Sequence, residues 1–121
     1  MTYDNWEGNP PDLTDFMNPR RFFCSHLAAL RNNSMESIVN LEEIWGNGAV
    51  LESEEPVEEG SRVEIRSAPA FFAGRIVQVE RHEFGWRFEV EFSPMTPWKL
   101  EQFQPEHLLD VSKLGEKNPP R

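Results

Sequence analysis

The stretch Trp86-Arg87-Phe88-Glu89-Val90-Glu91-Phe92 alternates large apolar residues with charged ones at every position. Period two puts Trp86, Phe88, Val90 and Phe92 on one face of an extended chain and Arg87, Glu89 and Glu91 on the other. Such a strand belongs to an antiparallel sheet with one face on a core and one in water. Working outward, Phe72 to Arg81 carries Ile76, Val77 and Val79. It is joined to the first run by His82-Glu83-Phe84-Gly85, a short polar loop ending in glycine, which predicts a hairpin. Arg62 to Arg66 alternates again, with Val63 and Ile65 inward. Ala49 to Ser53 and Ile38 to Ile44 follow the same pattern, with Trp45-Gly46-Asn47-Gly48 as their turn. Gly46 and Gly48 are expected there to supply positive φ. Cys24 to Leu30 suits a helix or a strand by propensity. The turn composition of Arg31-Asn32-Asn33-Ser34 leads into the next strand and favours the strand reading.

Six strands with loops of roughly four to nine residues predict an all-β sandwich or barrel. The ten prolines fall between these runs, as they must if the runs are ladders that need every N–H. After the last strand, residues 97–110 (PWKLEQFQPEHLLD) predict a short helix broken at Pro105, with Trp98, Phe103, Leu108 and Leu109 plugging one barrel end. Residues 1–19 hold four acids and no base and read as an acidic irregular arm. One helical turn is expected there at Asp12 to Met17, capped by Asp12. The domain proper is expected over 20–112 and a flexible tail over 113–121.

The chain has 121 residues, which supports one domain. Aromatic residues are 12% of it, and few but large side chains can fill a small core. Acids outnumber bases 21 to 12, for a net charge of -9, which argues against DNA, RNA and anionic membranes as partners. A small anion remains compatible, because it needs only a few placed arginines. One cysteine, Cys24, cannot form an internal disulfide, and neither a signal peptide nor a membrane-length apolar run is visible. A cytoplasmic setting is the expectation.

Three segments together, Asn40-Leu41, Gly46 to Pro56 (GNGAVLESEEP) and Glu59 to Ile65 (EGSRVEI), resemble the PilZ domain family. The likeness continues through Gly74-Arg75-Ile76-Val77, Gly85 and Glu91-Phe92, and spans about residues 20 to 110. It implies a six-stranded antiparallel PilZ-like β-barrel with a short C-terminal helix, in a bacterial signalling protein that binds cyclic di-GMP. Two family motifs carry that binding. An R-x-x-x-R pair clamps the ligand; Arg20 and Arg21 stand in its region, but the second arginine falls on Cys24 or Ser25. In the [DN]-x-S-x-x-G motif Asn40 matches, Glu42 replaces the serine, Trp45 replaces the glycine, and Gly46 comes one residue late. The resemblance therefore implies Arg20, Arg21 and Asn40 as ligand contacts with half the clamp missing. The alternative is a degenerate barrel acting as a protein–protein interaction module.

Other readings of these residues stay open beside that one. Arg20 and Arg21 also fit solvated charges paired with acids. Asn40 also fits a backbone-bonding residue beside a turn. Cys24 and His26 are spaced for a metal, but no second ligand pair exists, so no metal site is expected and Cys24 reads as a buried reduced thiol. No nucleophile constellation or phosphate-binding glycine loop is present, and no enzymatic activity or cofactor is expected. Trp86 is expected in the core. Trp45, in a polar turn, is expected exposed and available to a partner.

Overall fold

In the computed structural model, residues 20–115 are described. The strands are β1 (Phe22–Asn32), β2 (Met35–Trp45), β3 (Gly48–Ser53), β4 (Arg62–Ser67), β5 (Ala70–His82) and β6 (Gly85–Phe92). A two-residue β7 (Leu109–Asp110) and a short helix α1 (Val111–Gly115) follow. Every pairing is antiparallel, and going round the sheet the order is β2-β3-β6-β5-β4-β1. An additional β1–β2 pairing closes it into a six-stranded barrel. The all-β expectation and the strand count hold. The expected turn at Asp12 to Met17, the arm around it and the tail beyond Gly115 lie outside the described residues.

Strand alternation builds the interior. Leu30, Val39, Leu41, Ile44, Leu51, Ile76, Phe88 and Val90 are all at most 2% exposed, and Phe92 and Val63 join them. The strands outrun their sequence estimate because turns are tighter than expected. Asn33-Ser34, Gly46-Asn47 and Glu83-Phe84 are each two-residue connections between directly paired residues. Asn33 sits in the left-handed region at φ 61, which asparagine tolerates in such turns. Bulges break the register between Phe23 and His26, between Leu41 and Glu43, and between Ile76 and Gln78. Each adds the local bend that a closed small barrel needs. The last one is why Ile76 and Val77 adjoin in an otherwise alternating run.

Several expectations need correction. Gly46 and Gly48 are not left-handed; among the described residues the left-handed glycine is Gly60, at φ 91. Gly48 serves close approach instead, since a Cβ there would stand 2.7 Å from the Val90 carbonyl oxygen. Trp86 has the inward parity but lies at the strand end, half-buried, with the Arg81 guanidinium 4.9 Å from its ring centre. The predicted helix over 97–110 is absent. A single turn forms there, Phe103 N–H donating to Lys99 O at 3.2 Å, and it does not propagate. Prolines at both ends limit it, and Trp98 is anchored to the barrel: its backbone N–H bonds Gly46 O at 2.9 Å and its indole N–H bonds Phe103 O at 2.8 Å. Trp98 and Phe103 still plug the barrel end. Trp98 meets Phe22 edge-on at 5.4 Å, and Phe103 leans on Phe72, which stacks on Phe92 at 4.7 Å. Leu108 is half-buried beside them, but Leu109 is 45% exposed, because pairing with Phe23 turns it outward.

The face assignment of β6 has a direct test. Phe88→Ala should destabilise by ~3–5 kcal/mol, the cost of emptying a buried aromatic site. Glu89→Ala, on the outer face, should change stability by at most ~0.5 kcal/mol. Urea melts of the two variants make the comparison, and equal effects would refute the assignment.

Candidate functional site

Arg20 and Arg21 immediately precede β1, and adjacent residues of an extended chain point to opposite sides. The structure separates them accordingly. Arg20 turns to the C-terminal segment, where its Nε and Nη2 donate to Asp110 Oδ2 at 3.1 and 2.8 Å. Asp110 reaches that position because β7 pairs with β1 through Phe22 and Asp110. Its other oxygen accepts from Ser112 N at 3.0 Å and Ser112 Oγ at 2.8 Å, so the same carboxylate caps α1. The Arg20 guanidinium first, and Ser112 second, hold the Asp110 carboxyl below the usual carboxylate range.

Arg21 turns the other way, onto the outer face of β1 and β2. Its guanidinium lies 3.8 Å from the Trp45 ring centre, and Nη1 donates to Glu43 Oε2 at 3.4 Å. Trp45 is therefore not an exposed platform. It is 5% exposed, beneath the arginine and next to Gly48, whose missing side chain leaves room for the indole.

Asn40 lies further along that face. Its Oδ1 accepts from Ser25 Oγ at 3.4 Å, and its side chain also bonds Glu42, so it is tied to side chains rather than to the backbone of a turn. Of the three residues singled out in the sequence, Arg21 and Asn40 thus share a face and Arg20 does not join them. Ser25, where a second clamp arginine following Arg21 would stand, touches Asn40 directly.

Carboxylates dominate this face. Glu42 is brought beside Glu52 by the bulge at Leu41/Glu43 and by the Asn40–Glu52 pairing of β2 with β3. Burial, followed by the hydrogen bond and the charge of Glu52, pushes the Glu42 carboxyl up, while Arg87 at 3.4 Å and Asn40 pull it back. Glu52 also meets His82 Nδ1 at 2.7 Å. The resemblance made Glu42 visible as a departure from the family motif; its partners Glu52, from the next strand, and Arg87, from a strand distant in sequence, are announced by no local motif.

Cys24 and His26 take separate partners. The Cys24 thiol donates to Leu41 O at 3.5 Å, and burial, with Glu42 and Glu43 nearby, pushes its pKa up to about 12. His26 Nδ1 accepts from Glu106 N–H at 3.1 Å, leaving Nε2 to donate to Ser67 Oγ at 2.7 Å, and its ring meets Phe103 edge-on. Among the described residues no group of three or more His, Cys, Asp or Glu is placed to hold a metal ion, and no helix is long and apolar enough to cross a membrane.

The carboxyl shifts have opposite signs. Asp110, lowered, contributes stability above the ordinary carboxylate value, and that contribution is lost as pH falls through its folded pKa. Glu42, raised, binds its proton more tightly folded than unfolded, so its ionisation costs stability at neutral pH. Glu42→Gln should therefore melt at a higher temperature than the native chain at pH 7. The advantage should shrink as pH falls through the folded pKa of Glu42 and vanish below its ordinary value of 4.5, as thermal melts across pH would read. An advantage independent of pH would remove the carboxyl pair as its cause. Comparison of the chain with protein-family models, with curated proteins and with solved structures finds no match.

Proposed function

We propose that this chain is a PilZ-like bacterial signalling barrel in which cyclic di-GMP binding at Arg20, Arg21 and Asn40 is lost, and that it works through protein contact. The observation that carries this reading is internal pairing of the arginines. Arg20 is bonded twice to Asp110, and Arg21 is stacked on Trp45 and paired with Glu43. A phosphate would have to displace a carboxylate from each, and the two guanidiniums point away from one another. Glu42, Glu43 and Glu52 around Asn40 add repulsion toward any diester placed there.

Protein contact is favoured by the outer face of β1 and β2. Leu27 and Ile38 are 68% and 66% exposed and share that face, since Leu27 pairs with Asn40 and Ala29 with Ile38. Phe23 and its partner Leu109 extend the apolar band on one side, and Phe71, opposite Arg66, extends it on the other. Contiguous exposed apolar side chains with a polar border are typical of interaction surfaces. The charges beside them would set orientation and partner choice.

Two experiments test this reading. Calorimetric titration at physiological salt should show no cyclic di-GMP binding that depends on Arg20 or Arg21; tight binding abolished by Arg20→Ala or Arg21→Ala would overturn the claim of loss. Ser25→Arg with Glu42→Ser should restore binding, each change recovering ~1–3 kcal/mol and the pair gaining roughly thirtyfold or more. For the contact face, Leu27→Glu with Ile38→Glu should keep the native melting temperature within a few degrees while removing the proteins crosslinked to the native chain in cells. An unchanged crosslinking profile would place the contact elsewhere.

A further inference from the structure

A second group of arginines, away from Arg20 and Arg21, lies at the opposite end of β1. The outer face of β4, β5 and β6 carries the cross-strand row Arg62–Arg75–Glu91 and, beside it, Glu64 paired with Ala73. Arg31, near the end of β1, is the partner of Glu64 on the other side. Together with Asn33 from the β1–β2 turn and Ser93 and Pro94 after β6, these residues border a cleft of about 850 Å³. Ala73, with only a methyl group, and Gly74, with no side chain, form part of its lining, while the arginines are long. The volume lies within the range of sites for small organic ligands, roughly 300–1,000 Å³.

The charge balance of this cleft runs against that of the chain. Three guanidiniums face two carboxylates in a protein of net charge -9. Both carboxylates are already engaged: Glu64 with Arg66 at 3.4 Å, and Glu91 with Arg75 at 3.9 Å. Arg31 and Arg62 make no ion pair with another of the described residues. Arg62 and Arg75 are also direct cross-strand partners, an arrangement of like charges that destabilises a sheet unless something between them offsets it. The contrast with Arg20, Arg21 and Arg87, each within 3.4 Å of a carboxylate, is plain.

We propose that this cleft binds a small molecule carrying two or more phosphoryl groups. The planar guanidinium fork matches phosphate oxygens in a bidentate manner, and three such forks carried by three strands favour a ligand with more than one phosphoryl group. Arg31 and Arg62 supply the uncompensated charge, and Arg75 joins them by exchanging its long contact with Glu91 for the ligand. The site shares no residue with Arg20, Arg21 or Asn40, so it stands whether or not the proposed function does.

The test is titration of the ¹⁵N-labelled chain with inorganic pyrophosphate and, in parallel, orthophosphate at low salt. Pyrophosphate should saturate, with amide shifts confined to 31–33, 62–64, 73–75 and 91–93, and should bind more tightly than orthophosphate. Arg31→Gln and Arg62→Gln, both at exposed positions, should each weaken it roughly tenfold, and added salt should weaken it further. Arg21→Gln should leave it unchanged. Failure of pyrophosphate to saturate, equal affinity for orthophosphate, shifts centred on another face, or native affinity in the Arg31→Gln/Arg62→Gln double variant would each overturn the proposal. Because cyclic di-GMP also carries phosphates, binding of it lost in that double variant and kept in Arg20→Ala and Arg21→Ala belongs to this cleft and not to the clamp.

Discussion

Closure through β1 is the constraint on which the rest of this structure depends. The strand runs Phe22–Asn32 and is hydrogen-bonded on both edges, to β2 along its length on one side and to β4 and β7 on the other. Without the β1–β4 ladder the sheet would have two open edges and its inner face would meet water. With it, alternate side chains of six strands converge on one interior, where Ile44, Leu51, Ile76 and Val90 lose all contact with solvent. Only three residues of β1 pair with β4, so the seam is the narrowest in the barrel. It includes Arg31, near the end of β1, while Arg20 and Arg21 stand just before the strand's start.

The arginines at the two ends of β1 meet opposite electrostatic surroundings. At the start of β1, pairing with β7 delivers Asp110 to Arg20 and pairing with β2 delivers Glu43 to Arg21, each carboxylate largely screened from water by the strands around it. Stacking on Trp45 fixes Arg21 further and covers an indole that would otherwise face solvent. Near the end of β1, cross-strand register places Arg62 opposite Arg75, and the nearby carboxylates are divided between Arg66 and Arg75. An excess of acid in the composition therefore does not translate into a uniformly acidic surface. Register decides which arginines are neutralised and which are left to face a cleft.

The acid-rich face of β2 and β3 shows the same logic with the sign reversed. A bulge sets Glu42 and Glu43 side by side, and pairing with β3 adds Glu52. Arg87, His82 and Arg21 distribute positive or hydrogen-bonding groups among them, yet burial still leaves Glu42 harder to ionise than a free carboxyl. The nearby Cys24 thiol is half-buried, and its burial first and the carboxylates of Glu42 and Glu43 second push its pKa up, which keeps it protonated at neutral pH. A face arranged in this way repels anions, and Leu27 and Ile38 stand exposed beside it.

By itself the sequence determined the strands, most of their inward residues and where the hairpins fall, though not how tight their turns are, because period two, proline exclusion and turn chemistry are local properties that one stretch of chain carries alone. The separation of Arg20 from Arg21 was legible on the same ground, since adjacent residues of an extended chain cannot point together. What only the tertiary structure decided depends on register between distant segments. Trp45 is buried because Arg21 and Gly48 meet over it, although its turn is polar. Residues 97–110 fail to form a helix because Trp98 bonds Gly46 and Phe103, contacts worth more there than a run of helical turns bounded by prolines. Asp110 finds Arg20 across 90 residues, and Arg62 finds Arg75 across a hairpin, through backbone pairing that no side-chain pattern announces. Which charges are satisfied and which remain available is thus a property of the closed sheet: Coulomb interactions depend on distance in space, and closure alone sets those distances.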